Sequence, residues 1–113
     1  MARSFTLGGI EGDAVVTMTA TGTTSTTAAT VTADHVMVDT VTTTNRGVIL
    51  RAMDAGQEAW ISNGDDTEAL YVYPPSGGKF NNKTADLHVL IPSGKSASFK
   101  FLNATHIIAN VSQ

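Results

Sequence analysis

Residues 14–21 alternate strictly, with Val15, Thr17, Thr19 and Thr21 on one side and Ala14, Val16, Met18 and Ala20 on the other. A period of two places alternate side chains on opposite faces, so this stretch predicts a half-buried strand with a threonine-coated outer face. Further extended stretches are expected at Thr30–Ala33, Val36–Thr42, Arg46–Ala52, Leu87–Ile91 and Thr105–Val111, and at Ala97–Leu102, where Phe99 and Phe101 oppose Ser98 and Lys100. Residues that tolerate turn geometry separate them: Thr43-Thr44-Asn45, Asp54-Ala55-Gly56, Pro92-Ser93-Gly94-Lys95 and Asn103-Ala104. About eight or nine short strands at roughly 8–12-residue spacing predict an all-β sandwich or barrel. The expected architecture is an antiparallel, jelly-roll-like β-sandwich over residues 14–113.

Residues 58–78 carry the strongest local signal. Ala59-Trp60-Ile61 suits a strand, Asn63-Gly64-Asp65-Asp66 suits a tight turn, and Leu70-Tyr71-Val72-Tyr73 suits a second strand. Pro74-Pro75 lacks two backbone donors and stops ladder pairing. An antiparallel hairpin is the expected local structure. It needs further strands to cover its apolar face, because a lone hairpin is marginal in water. Phe80, isolated between Ser76-Gly77-Gly78 and Asn81-Asn82, is expected to plug into the core.

The ends of the pattern differ from its middle. Met1 to Asp13 has Gly8, Gly9 and Gly12 and little periodicity, which predicts an extended N-terminal arm. Its Phe5, Leu7 and Ile10 would be exposed on an isolated arm, so the arm is expected to lie against its own domain or a neighbour. Thr21 to Ala29 (TGTTSTTAA) reads as a loop or as a flat, weakly specified strand. An uncharged β-prone edge is hazardous when exposed, which favours a loop or a subunit contact.

The 113 residues suit one domain with one modest core. Threonine crowds the first half, and its β-branching favours extended backbone. A formal charge of −3 offers no general attraction to nucleic acid or anionic lipid. The absence of cysteine removes disulfides and thiolate metal sites. The opening has no apolar h-region, and no run is long enough to span a bilayer as a helix, so neither a cleaved secretion signal nor a membrane partner is expected. The chain is expected in a cytoplasm or in a particle assembled there.

No catalytic, cofactor or metal constellation emerges. His35, His88 and His106 lack metal-ligand spacing and read as partly exposed strand histidines. Ser93-Gly94-Lys95-Ser96 matches the tail of a phosphate loop, but Val89 stands where that motif needs glycine, so a turn is expected. Asn63 to Glu68 offers oxygen ligands at alternating positions without the frame of a helix-flanked calcium loop, and a solvated turn is expected. The sequons at Asn82, Asn103 and Asn110 read as turn and strand-end residues. Trp60, Tyr71 and Tyr73 suit either subunit or core packing or a sugar-stacking platform, with packing preferred.

One resemblance bears on function. The segment from Gly47 to Phe101 resembles small tailed-phage virion proteins. Such proteins carry a valine-tyrosine-proline strand end, a glycine-containing loop, an asparagine and a late glycine-serine-phenylalanine strand. The matching residues are Trp60, Ile61, Asn63, Leu70, Val72, Tyr73, Pro74, Gly77, Asn81, Gly94, Ser96 and Phe99. His106-Ile107-Ile108 stands where those proteins often place a tryptophan strand. The resemblance implies a non-enzymatic capsid decoration or cement protein, commonly a trimer, whose partner is the major capsid protein on the virion surface. Candidate interface residues are Phe5, Leu7, Ile10, Thr23, Thr24, Thr26, Trp60, Tyr71 and Tyr73. The alternative reading is a glycan- or receptor-binding β module of a phage fibre or adhesin.

Overall fold

The structure, a computed structural model, describes residues 16–41 and 46–112. The described residues form ten strands and no helix: β1 (Val16–Ala20), β2 (Ala29–Thr30), β3 (His35–Val41), β4 (Gly47–Ile49), β5 (Glu58–Asn63), β6 (Leu70–Tyr73), β7 (Lys79–Phe80), β8 (Val89–Ile91), β9 (Ser96–Asn103) and β10 (His106–Val111). They make a six-stranded sheet in the order β1-β3-β5-β9-β10-β7 and a four-stranded sheet in the order β2-β4-β6-β8. Among the described residues no helix is long and apolar enough to cross a membrane. The predicted arm, Met1–Asp13, with Phe5, Leu7 and Ile10, lies outside the described residues.

The all-β prediction holds, but the antiparallel jelly-roll-like sandwich does not. From β1 to β6 the chain alternates between the two sheets, and each strand lies parallel to the one a coil earlier: β1 with β3, β3 with β5, β2 with β4, and β4 with β6. Val16 stands beside Val36, twenty residues on, and Val36 beside Ile61, twenty-five on. This is a short solenoid-like stack, in which each coil buries its apolar side chains against the next. The predicted hairpin over residues 58–78 is likewise corrected, because β5 and β6 belong to different sheets. The acidic turn swings the chain across the core instead of doubling it back within one sheet.

Equivalent positions on successive strands build continuous apolar rows. Val16, Val36, Ile61, Ala97 and Val111 are neighbours across the six-stranded sheet. Ala29, Val48, Val72 and Val89 are neighbours across the four-stranded one. Val36, Ile61, Ala97, Val48, Val72 and Val89 belong to one core cluster, with Val16 and Val111 packed against it. Period-two patterning therefore succeeded strand by strand: Val16, Met18 and Ala20 turn toward the core while Thr17 and Thr19 are exposed. Phe80, Phe99 and Phe101 are fully buried, and Phe80 plugs the core from β7 as expected.

Antiparallel strands close the stack. β9 pairs with β5, β8 with β6, and β10 with β9. The joint between coils and cap is Asn63, the sole buried polar residue among those described. Its side-chain amide donates to the carbonyls of Glu68 (2.9 Å) and Ile91 (3.0 Å), and its side-chain oxygen accepts from the Asp65 N–H (3.0 Å). Its backbone donates to the Lys95 carbonyl (2.8 Å) and accepts from the Gly94 N–H (3.0 Å). One residue thereby fastens the β5–β6 turn to the β8–β9 turn. Replacing Asn63 by Ala strands the Ile91 carbonyl and opens a void. Chemical denaturation should show a loss of about 2 kcal/mol or more, since each buried orphan group costs about 1–3 kcal/mol.

Candidate functional site

The acidic turn is the first candidate for chemistry. Asp65 Oδ1 accepts from the Val41 N–H (3.0 Å), and Oδ2 accepts from the N–H groups of Thr67 (3.0 Å) and Glu68 (2.8 Å). Those backbone donors hold its pKa down at about 2, against an ordinary 3.8. The carboxylate thus braces a turn and ties it to the end of β3. Among the described residues no group of His, Cys, Asp and Glu could hold a metal ion.

The histidines are dispersed. His35 lies beside Trp60 with ring centroids 6.0 Å apart, His88 stacks on Tyr71 at 3.9 Å, and the His106 ring hydrogen-bonds the Asn81 carbonyl at 2.9 Å. Ser93-Gly94-Lys95-Ser96 is a turn, with Gly94 at φ +76° and the Lys95 N–H donating to the Pro92 carbonyl at 3.1 Å. It links two sheets, so it is not the turn of a hairpin.

Two aromatic surfaces lie on different sheets. Tyr71 and Tyr73 alternate with core residues Leu70 and Val72, so their rings fall on the outer face of the four-stranded sheet. His88 completes that cluster, edge-on to Tyr73 at 5.6 Å. Burial, with the charge of Lys83 nearby, pushes the His88 imidazole below its usual pKa. The Tyr73 hydroxyl donates to the Thr23 carbonyl (3.0 Å), and burial pushes its phenol upward. Gly47 makes room for this arrangement, since a Cβ there would meet the Tyr71 carbonyl oxygen at 2.6 Å and Tyr73 Cε2 at 3.0 Å. Tyr73 is 5% exposed, which makes it a packing residue.

Trp60 stands on the other sheet and is 44% exposed. A single platform of Trp60, Tyr71 and Tyr73 therefore does not form. Trp60 instead borders a shallow groove of about 200 Å³ shared with Ser96, Ala97, Ser98, Asn110 and Ser112. Register explains the grouping: Trp60 is beside Ser98, and Ser98 is beside Asn110. The sequence marks Ser98 as outward-facing, but only the strand order brings Asn110 and Ser112 to Trp60.

The third surface is the first coil. β1 and β2 each end their sheet, and neither contains a charged residue. The threonine segment beside them is an ordered turn, with the Ala28 N–H donating to the Thr24 carbonyl (3.1 Å) and the Thr24 and Thr27 hydroxyls 2.7 Å apart. The expected loop is present, and Thr23, Thr24 and Thr26 are exposed on it. No protein family, curated protein or solved structure matches the chain.

The Asp65 brace has a pH signature. Because its folded pKa is depressed, its contribution is fully present above 3.8 and fades as pH falls toward about 2. Asp65→Asn should lower the melting temperature at pH 7, and the gap from the parent should narrow across that acid window in a calorimetric series.

Proposed function

We propose that the chain is a virion structural protein that binds the outer surface of a phage capsid and stabilises it, with the major capsid protein as its partner. The observation that carries this reading is the uncharged edge of the first coil. Unpaired strand edges are templates for further pairing, and proteins that remain solitary usually blunt them with lysine, proline, bulges or a covering segment. β1 (VTMTA) and β2 (AT) contain no lysine and no proline, and β1 departs from regular pairing only at a register shift between Met18 and Thr19. The exposed Thr23, Thr24 and Thr26 extend the same neutral surface. Few charges at the centre of a contact region is a compositional mark of an interface.

The residues of the virion-protein resemblance support the reading as framework. Ile61, Asn63, Leu70, Val72, Tyr73, Pro74 and Phe99 are buried, while Gly77, Asn81 and Gly94 take positive φ in turns. A compact scaffold whose distinctive residues hold its shape suits repeated weak contacts on a shell. In this proposal Met1–Asp13, with Phe5, Leu7 and Ile10, supplies a contacting arm, and three copies associate. Deleting residues 1–12 should abolish co-sedimentation with capsids while circular dichroism and melting temperature stay close to the parent's. Undiminished occupancy on particles would defeat the proposal. A monomeric mass by light scattering would count against the trimer.

A further inference from the structure

We propose that the groove beside Trp60 is a binding site for a neutral pyranose, at the end of or within a glycan chain. It lies on the outer face of the six-stranded sheet and involves none of the first-coil edge residues. The proposal stands apart from capsid attachment.

Three features of the groove point to a sugar. First, Trp60 offers a flat apolar face, 44% exposed, with serine and asparagine side chains beside it. A pyranose has the same divided character: one face carries C–H groups that pack on an aromatic ring, and its rim carries hydroxyls. Second, beside Ala97 the lining carries short neutral hydrogen-bonding groups, Ser96, Ser98, Asn110 and Ser112. Serine hydroxyls donate and accept, and an amide supplies both a donor pair and an acceptor, which matches the two-way hydrogen bonding of sugar hydroxyls. The side chains of Ser98 and Asn110 make no hydrogen bond to another described residue, whereas Ser112 Oγ already accepts from the Ser96 N–H at 3.1 Å.

Third, the dimensions and charge fit. Trp60, Ser98 and Asn110 occupy one row across β5, β9 and β10. Adjacent strands lie roughly 4.8 Å apart, so the row spans roughly 10 Å. A ring resting against Trp60 then has its rim hydroxyls over Ser98 and Asn110. The groove, about 200 Å³, is smaller than sites for drug-sized ligands, which suits one sugar ring at a time. Among the described residues none that lines it is ionisable, and the nearest titratable ring, His35, lies against Trp60 with centroids 6.0 Å apart. The nearest charges along β5 and β9, Glu58 and Lys100, pair with each other at 3.6 Å. With no lysine or arginine among the lining residues to pair with an anionic group, a neutral hexose fits better than a sialylated or sulfated one.

The test uses the full-length chain and its sole tryptophan as reporter. Titration with neutral hexo-oligosaccharides of gluco, manno and galacto type should give, for at least one, a saturable change in Trp60 emission at millimolar concentration or below. Ser98→Val and Asn110→Leu keep the fluorophore and should each weaken that binding at least tenfold with little change in melting temperature. Trp60→Ala, read by calorimetry, should abolish it. No saturable response to any neutral oligosaccharide would overturn the proposal, as would a response that survives both lining substitutions. Preferential binding of sialylated or sulfated glycans would refute the neutral assignment. Loss of capsid co-sedimentation in Trp60→Ala without sugar binding by the parent would make the groove a protein contact instead.

Discussion

The fold depends on one buried amide. Asn63 ends β5, the last parallel strand of the six-stranded sheet's coil stack, where the chain crosses to β6 and meets the β8–β9 turn. Its side chain engages two carbonyls and one N–H, and its backbone engages the opposite turn. A buried polar side chain is tolerable only when its bonds are made, and one that is fully satisfied specifies a single geometry. An apolar residue here would pack and keep the backbone bonds to the opposite turn, but would lose the side-chain bonds to Glu68, Ile91 and Asp65. Asp65, two residues on, extends the same joint to β3 through the Val41 N–H, and Ser93 adds a bond to the Asp65 carbonyl at 2.6 Å.

A stack of coils with two faces and two ends follows from that joint. The core rows of valine, isoleucine and alanine supply the apolar burial that drives folding. Arg51 adds a bond between successive turns by donating to the Thr32 carbonyl at 2.9 Å and pairing with Asp34. The cap closes one end, while among the described residues the first coil forms an uncharged edge at the other. The two outer faces acquire different chemistry from the same alternation: tyrosine and histidine on the four-stranded sheet, and tryptophan with serines on the six-stranded one. Adhesion at the end and small-ligand binding on a face are thus separable properties of one scaffold.

Strand content was legible because each strand carries its own periodicity. The Val16, Met18 and Ala20 set, the Phe99 and Phe101 pair, and the Pro74-Pro75 stop are local signals, and each matches the structure. Strand order was not legible, because the same alternating pattern serves a hairpin, a sandwich or a solenoid. Asn63-Gly64-Asp65-Asp66 resembles a hairpin turn in composition, yet its Asp65 side chain bonds to β3 and its backbone bonds to the β8–β9 turn, partners distant in the sequence. The Trp60 groove was half visible for the same reason. Outward serines could be named, but pairing Trp60 with Ser98, and Ser98 with Asn110, requires the register.

The parallel stacking of coils is the claim on which the strand order and the first-coil edge both rest. Nuclear Overhauser spectroscopy on isotopically labelled protein tests it most directly. The account predicts close backbone proton contacts between Val36 and Ile61 and between Val48 and Val72, with none linking β5 to β6 as a ladder. A continuous antiparallel ladder joining Trp60 and its neighbours to Leu70–Tyr73 would contradict it.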